Sequence, residues 1–133
     1  MKFVALPHDE ACRLMAGLAL NPKTDTSGGI ASISDFIGDG LSFLLTGRDG
    51  APLAAFAVQV VQRERGRALE VCAAQHLGAR GDLTRTILPE IERVFGVGCD
   101  VMNIYTRRPG LVRKLEQAGY AEVAKIMQKK LRA

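Results

Sequence analysis

The sequence predicts an α/β (α+β) fold with a mixed central sheet, in which an antiparallel meander is followed by β-α-β-α-β, with helices on both faces. Two observations lead to this prediction. Residues 41–77 hold three apolar runs separated by short glycine-containing turns, as in strands joined by hairpins. After residue 82, stretches with helical spacing alternate with strand-like runs, which indicates crossover connections. A length of 133 residues suits one domain, so we expect residues 1–133 to fold as a single unit.

The first forty residues predict a less regular structure than the rest. "KFVALP" is a short strand ended by Pro7, and "HDEACRLMAGLALN" that follows has its apolar residues at helical spacing. Residues 21–29 are rich in turn formers and are predicted to be a loop. "IASISDFIGDG" fits either a short second helix or an irregular segment.

The meander is predicted from "LSFLLTG", "LAAFAVQVVQR" and "ALEVCAAQHL". The dipeptide Asp49–Gly50 between the first two runs is a hairpin signal, because Gly50 can take a positive φ. Gly66 marks the next turn. The last two runs are apolar on both faces, so we expect them in the middle of the sheet, covered on both sides.

"DLTRTILPEIERVF" predicts a helix over 82–95, with Asp82 as its N-cap. Pro89 should kink this helix or delay its start. A strand "VMNIYTR", a short helix "PGLVRKLEQAG" starting near Pro109 and a final strand "YAEVAKIMQKKL" complete the predicted order.

Composition excludes several classes of protein. The three cysteines are odd in number and widely spaced, which fits neither a disulfide framework nor a zinc site, and no other motif with metal-ligand spacing occurs. No apolar run reaches the roughly 18 residues of a membrane span, and the N-terminus does not have the pattern of a signal peptide. We therefore expect a cytoplasmic protein with reduced thiols.

Charge is distributed unevenly along the chain. Residues 1–100 carry 10 Lys and Arg against 12 Asp and Glu, whereas residues 101–133 carry 8 against 2. The basic C-terminal third fits a solvated helix face and an edge strand guarded by lysines. It also fits contact with a nucleotide, a nucleic acid or an acidic protein partner, although no aromatic residues interleave with the charges as a nucleic-acid platform requires.

The order of elements, the turn "QHLGARGDLTR" and the segment "RPGLVRKLEQAGY" resemble the GNAT family of N-acetyltransferases. The similarity covers roughly residues 40–131, and small GNAT-like proteins of bacteriophages share this outline. The resemblance implies that acetyl-CoA lies in a V-shaped opening between the fourth and fifth strands. It also implies that the pyrophosphate rests on backbone N–H groups where the following helix begins.

The family's pyrophosphate turn has the pattern Q/R-x-x-G-x-G/A, which can be placed on this sequence in two ways. One uses Gln75 and Gly78 and puts Arg80 at the last position; the other uses Arg80 and Gly81 and puts Leu83 there. Alternatively, Asp82 caps the helix and occupies the same donors. The cofactor-binding residues implied by the resemblance are Gln75, Leu77, Gly78, Ala79, Arg80, Gly81, Asp82 and Leu83.

Three residues are the catalytic candidates. The resemblance implies that Glu70, within the third strand of the meander, takes a proton from the amine. Alternatively, Glu70 pairs with an arginine, for example from "RERGR", and His76 near the end of the same strand is another candidate base. Leu115 and Arg108 stand where the family often has a tyrosine and an asparagine. Tyr105 is therefore the candidate acid for the leaving thiolate, whereas Tyr120 is expected to pack in the core.

Two functions fit the sequence. The first is a GNAT-type transfer of an acetyl group from acetyl-CoA to an unidentified amine. The second is a GNAT-like structural or interaction protein without catalysis, for example a component of a phage virion or tail, which binds a protein partner through the basic C-terminal third. A homo-oligomer fits either function.

Overall fold

The computed structural model describes residues 1–78 and 82–132. Within these residues there are five strands and five α-helices, and a π-helical turn, Leu83–Ile87, leads directly into the fourth helix. The strands are β1 (Lys2–Leu6), β2 (Leu41–Thr46), β3 (Pro52–Arg63), β4 (Gly66–His76) and β5 (Val101–Ile104). The helices are α1 (His8–Met15), α2 (Gly17–Leu20), α3 (Ile33–Ile37), α4 (Leu88–Phe95) and α5 (Pro109–Gln117).

The sheet has the order β1-β2-β3-β4-β5, with antiparallel pairing up to β4 and parallel pairing between β4 and β5. This confirms the predicted mixed sheet and meander. β3 and β4 lie inside the sheet, as their apolar faces predict. Gly50 has φ 80°, the conformation that the Asp49–Gly50 hairpin requires.

Hydrophobic clusters cover both faces of the sheet. On one face, Phe56 of β3 and Leu69 of β4 pack with Ile91 of α4 and Leu115 of α5. On the other face, small residues of β3 and β4 pack beneath α1 and α3. The helices therefore lie on both faces, as predicted, and the segment 30–40 contains the short helix α3.

The helix predicted over 82–95 has Asp82 as its N-cap, and its α-helical part starts late, next to Pro89, as predicted. The Asp82 side chain accepts a hydrogen bond from the backbone N–H of Thr84, which confirms the N-cap. α4 begins at Leu88, so Pro89 occupies its first turn, where its missing N–H costs nothing. None of the helices in residues 1–78 and 82–132 has the length and apolar character needed to cross a bilayer.

The predicted final strand is wrong for a single chain. Residues 121–132 form neither helix nor strand, and all of them are exposed. A strand exists only through pairing with a neighbour, and this segment pairs with no described strand. Instead, Gln128 Nε2 donates a hydrogen bond to the Ser27 carbonyl, 2.9 Å away. The second predicted crossover therefore ends at α5.

Candidate active site

A cleft opens where β4 and β5 separate. Their pairing ends at Val71 and Ile104, but β4 continues to His76 while the chain after β5 turns towards α5. The resulting cavity has a volume of about 1190 Å³. This is the V-shaped opening that the sequence resemblance leads us to expect.

The rim of the cleft carries positive charge. Four of its described lining residues are cationic, and one, Asp82, is a carboxylate. The cations are Lys23, Arg107, Arg108 and Lys114. The amount of positive charge suits a polyanionic ligand. Lys114 and Arg107 were not among the sequence-predicted site residues, although the basic run "RRPGLVRK" was a signal for them.

A β-bulge shapes the β4 wall of the cleft. Ala57 pairs with Ala73 and Val58 pairs with Val71, so Cys72 is the extra residue without a partner in β3. A bulge bends its strand and takes one backbone unit out of the ladder. Burial, together with the nearby Glu70 charge, raises the pKa of the Cys72 thiol, so the group stays protonated at neutral pH.

Glu70 and Tyr105 meet beside this bulge. The Tyr105 hydroxyl donates to Glu70 Oε1 across 3.3 Å. The second carboxylate oxygen, Oε2, is buried and has no hydrogen-bond partner among the described residues. Partial burial and the Glu70 charge raise the pKa of Tyr105 above its usual value of 10. The pair thus combines a proton acceptor with an unused oxygen and a phenol that stays protonated.

Of the Glu70–Tyr105 pair, Tyr105 lines the cleft and Glu70 does not. Gln75 and His76 both line it. The Gln75 side-chain amide donates to the His76 carbonyl across 3.1 Å, which fixes the Gln75 side chain against its own strand. His76 is half-buried and lies opposite Ala54 of β3.

The turn that was predicted to bind pyrophosphate is described only at its two ends. The predictions for Ala79, Arg80 and Gly81 lie outside the described residues. On the β4 side, the Leu77 N–H already donates to the Leu53 carbonyl at 2.9 Å, and Gly78 lines a depression beside the β2–β3 hairpin. On the helix side, Leu83 lines the cleft and packs against the core.

Asp82 is tied to two neighbours at the mouth of the cleft. Its Oδ1 accepts from the backbone N–H of Thr84 at 3.0 Å and from the Thr84 hydroxyl at 2.8 Å. Its Oδ2 lies 3.3 Å from Lys114 Nζ. The Thr84 hydroxyl, the Thr84 N–H and Lys114 lower the pKa of Asp82 to about 2.

We expect Asp82→Ala to lower Tm by about 4 °C at neutral pH, because the helix start loses its cap. The pKa of Asp82 is lower in the folded chain than in the unfolded chain. The charged Asp82 cap therefore stabilises the folded state fully above about pH 4, and this stabilisation is lost as the pH falls towards 2. Scanning calorimetry should therefore show the wild-type and variant Tm values converging in acid. The exposed Asp39→Ala serves as the control and should change Tm little at any pH.

A second carboxylate, missed by the sequence analysis, orders the loop 21–29. Asp25 is buried and accepts from the Ser27 hydroxyl at 2.6 Å, the Ser27 N–H and the Gly29 N–H. These bonds, with a smaller effect of the Arg107 charge, lower the pKa of Asp25. Thr24 and Thr26, on either side, line the cleft. The "DTSGG" segment is typical of such a side-chain-to-backbone turn.

Solved structures with the same fold include acetyltransferases. A tetramutant of the BH1408 protein from Bacillus halodurans aligns with a TM-score of 0.67 at 12% identity, over 98% of this chain and 100% of that chain. A possible acetyltransferase from Clostridium difficile 630 aligns at 0.62 and 11%, over 99% and 97% of the two chains. A Trypanosoma brucei acetyltransferase aligns at 0.56 and 14%, over 98% and 99%.

A scan against protein-family models finds no match, and a search of curated proteins by sequence finds none. The similarity to solved structures therefore concerns the fold alone, which is shared over essentially the whole chain.

Proposed function

We propose that this chain is an acyl-CoA-dependent N-acetyltransferase that moves an acetyl group from acetyl-CoA to an amine. The observation that carries the proposal is the hydrogen bond between Glu70 and Tyr105, because Tyr105 lines the cation-rimmed cleft between β4 and β5. A fold shared with acetyltransferases agrees with it but does not by itself specify a reaction.

The cleft fits acetyl-CoA in size and charge. Its volume of about 1190 Å³ is larger than that of ordinary ligand pockets, which are roughly 300–1,000 Å³, and leaves room for a long cosubstrate. Lys114, Arg107 and Arg108 would offset the phosphate charges. Lys114 also neutralises Asp82, which would otherwise repel them.

The Glu70–Tyr105 hydrogen bond provides a proton relay for the transfer. The amine nitrogen attacks the thioester carbonyl carbon, a C–N bond forms and the C–S bond breaks. Glu70 takes the proton that the amine loses, and Tyr105 gives its proton to the departing thiolate. Proton transfer from Glu70 to Tyr105 along their 3.3 Å contact then restores both groups. A backbone N–H at the Cys72 bulge is the candidate donor to the thioester oxygen.

One observation favours a second candidate, a GNAT-like binding protein without catalysis. Asp82 occupies the Thr84 N–H at the helix start, a donor that a pyrophosphate would use. Such a protein would contact an acidic partner through its basic C-terminal third. Assembly into a phage particle is one setting for it, which rests on the sequence resemblance alone.

An acceptor screen tests the enzymatic proposal. Purified protein is incubated with acetyl-CoA and with primary amines of different classes, such as peptides with free N-termini, polyamines and amino sugars. We expect release of free CoA thiol that depends on one class of amine, together with an acetylated acceptor detected by mass spectrometry. Binding of acetyl-CoA without transfer to any amine would contradict this proposal and favour the second candidate.

Replacing Tyr105 with phenylalanine should lower kcat at least about tenfold, because the relay loses its acid. Since the pKa of Tyr105 is raised above 10, its phenol stays protonated between pH 7 and 9, and the loss should be constant over that range. Tyr120→Phe is the matched control, because the Tyr120 hydroxyl contacts Met102 Sδ at 3.6 Å and takes no part in lining the cleft. Equal rates for the two variants would exclude Tyr105 as the acid.

A further inference from the structure

The C-terminal tail, defined as residues 121–132, has no place in the fold of one chain. In the described part of the chain, no backbone–backbone hydrogen bond involves any tail residue. Its large apolar side chains are almost entirely in solvent. They are Val123 (87% exposed), Ile126 (71%), Met127 (90%) and Leu131 (90%). Four large apolar side chains exposed on twelve consecutive residues, although interspersed with charged ones, indicate a segment that a partner would cover.

The edge of the sheet beside the tail is equally incomplete. β5 pairs with β4 on one side and is the last strand of the sheet, so its other side presents backbone groups without a strand partner. The tail starts next to this edge, because the Tyr120 hydroxyl lies 3.6 Å from Met102 Sδ in β5. A strand-forming edge and a free segment therefore lie side by side.

We infer that two copies of this chain exchange their tails, each tail pairing as an added strand with β5 of the other copy. A two-fold axis beside β5 brings both edges and both tail origins together, so one contact generates two identical ones. Backbone hydrogen bonds would supply the pairing, and the apolar tail side chains would be covered by the partner, as in strand addition to a sheet edge.

A second copy fits this edge better than an unrelated partner. Each chain contributes to the interface the twelve tail residues, the four residues of β5 and the adjoining residues that lead into the cleft. This number approaches the roughly 20 residues that each partner contributes to a stable interface. β5 itself, residues 101–104, has no charged side chain, so the four cations of the tail meet no like charge along the strand with which they pair. The tail's tie to its own domain is a hydrogen bond between exposed groups, Gln128 to the Ser27 carbonyl, and can be given up.

The test compares the mass of the full chain in solution with that of two matched double variants. Lys125→Pro with Ile126→Pro removes two consecutive backbone N–H groups, so at least one that faces the partner strand is lost. Lys125→Ala with Ile126→Ala removes the same side chains but keeps both N–H groups. Both residues are exposed and make no core contact, so the variants should fold like the wild type, which circular dichroism checks.

The molecular mass of each protein is measured by light scattering after size-exclusion chromatography, over about a hundredfold range of protein concentration. We expect wild type at twice the 14.3 kDa of one chain, the alanine pair as a dimer and the proline pair as a monomer, with dimer affinity reduced at least tenfold. A monomeric wild type over the whole range would overturn the inference. So would proline and alanine pairs with the same dimer affinity.

Discussion

Replacing Glu70 with glutamine is expected to lower kcat for acetyl transfer about a hundredfold while leaving the affinity for acetyl-CoA unchanged. Glutamine keeps the shape of the side chain and can still contact the Tyr105 hydroxyl, but its amide cannot accept a proton from the amine. Steady-state kinetics with a thiol-release assay measure kcat, and calorimetry measures acetyl-CoA binding separately.

Glu64→Gln, at the exposed turn between β3 and β4, is the matched control for this prediction and should react at the wild-type rate. If Glu70→Gln retains kcat within twofold of wild type, Glu70 is not the base. The relay proposed with Tyr105 is then wrong as well.

Phe56→Ala is expected to lower the free energy of unfolding by about 3–5 kcal/mol, the largest stability effect that we anticipate from one substitution. Phe56 is fully buried and its ring lies 5.7 Å from Phe3, 5.8 Å from Phe43 and 5.7 Å from Phe95, measured between centroids. Four of the five phenylalanines of the chain thus form one cluster, and its central member has no polar group to compensate.

Urea denaturation followed by far-ultraviolet circular dichroism measures this change. Val60→Ala on the same strand is the control; because half of the Val60 side chain is exposed, we expect a loss of about 1 kcal/mol or less. Equal losses for the two variants would show that the aromatic cluster does not organise this core.

Local patterns were sufficient to predict most of the fold. The Asp49–Gly50 turn fixed the first hairpin, and apolar runs on both faces placed β3 and β4 inside the sheet. Local patterns could not predict correctly whether residues 120–131 form a strand. Alternation of apolar and polar residues there does not show whether a sheet edge is available for this segment to pair with. The end of β5 at Ile104 was missed for a similar reason, since pairing with β4 stops there.

The site was predicted in parts that the sequence could not join. Glu70 and Tyr105 are 35 positions apart, and only the parallel register that places Glu70 opposite Asn103 brings the two side chains together. Asp82 was predicted as a cap from its position alone, but its contact with Lys114 depends on where α5 packs. The ordering of the loop 21–29 by Asp25 likewise depends on burial, which periodicity does not reveal.

Calorimetric titration with acetyl-CoA tests most directly whether the cleft binds this cosubstrate. The measurement compares wild type, Lys114→Glu and Lys2→Glu, which makes the same charge change on β1 at the opposite edge of the sheet. We expect saturable binding to wild type and to Lys2→Glu, and affinity at least about tenfold weaker for Lys114→Glu, because a carboxylate there would repel the phosphates. No binding by wild type at millimolar acetyl-CoA, or equal affinity for all three proteins, would contradict an acyl-CoA site in this cleft.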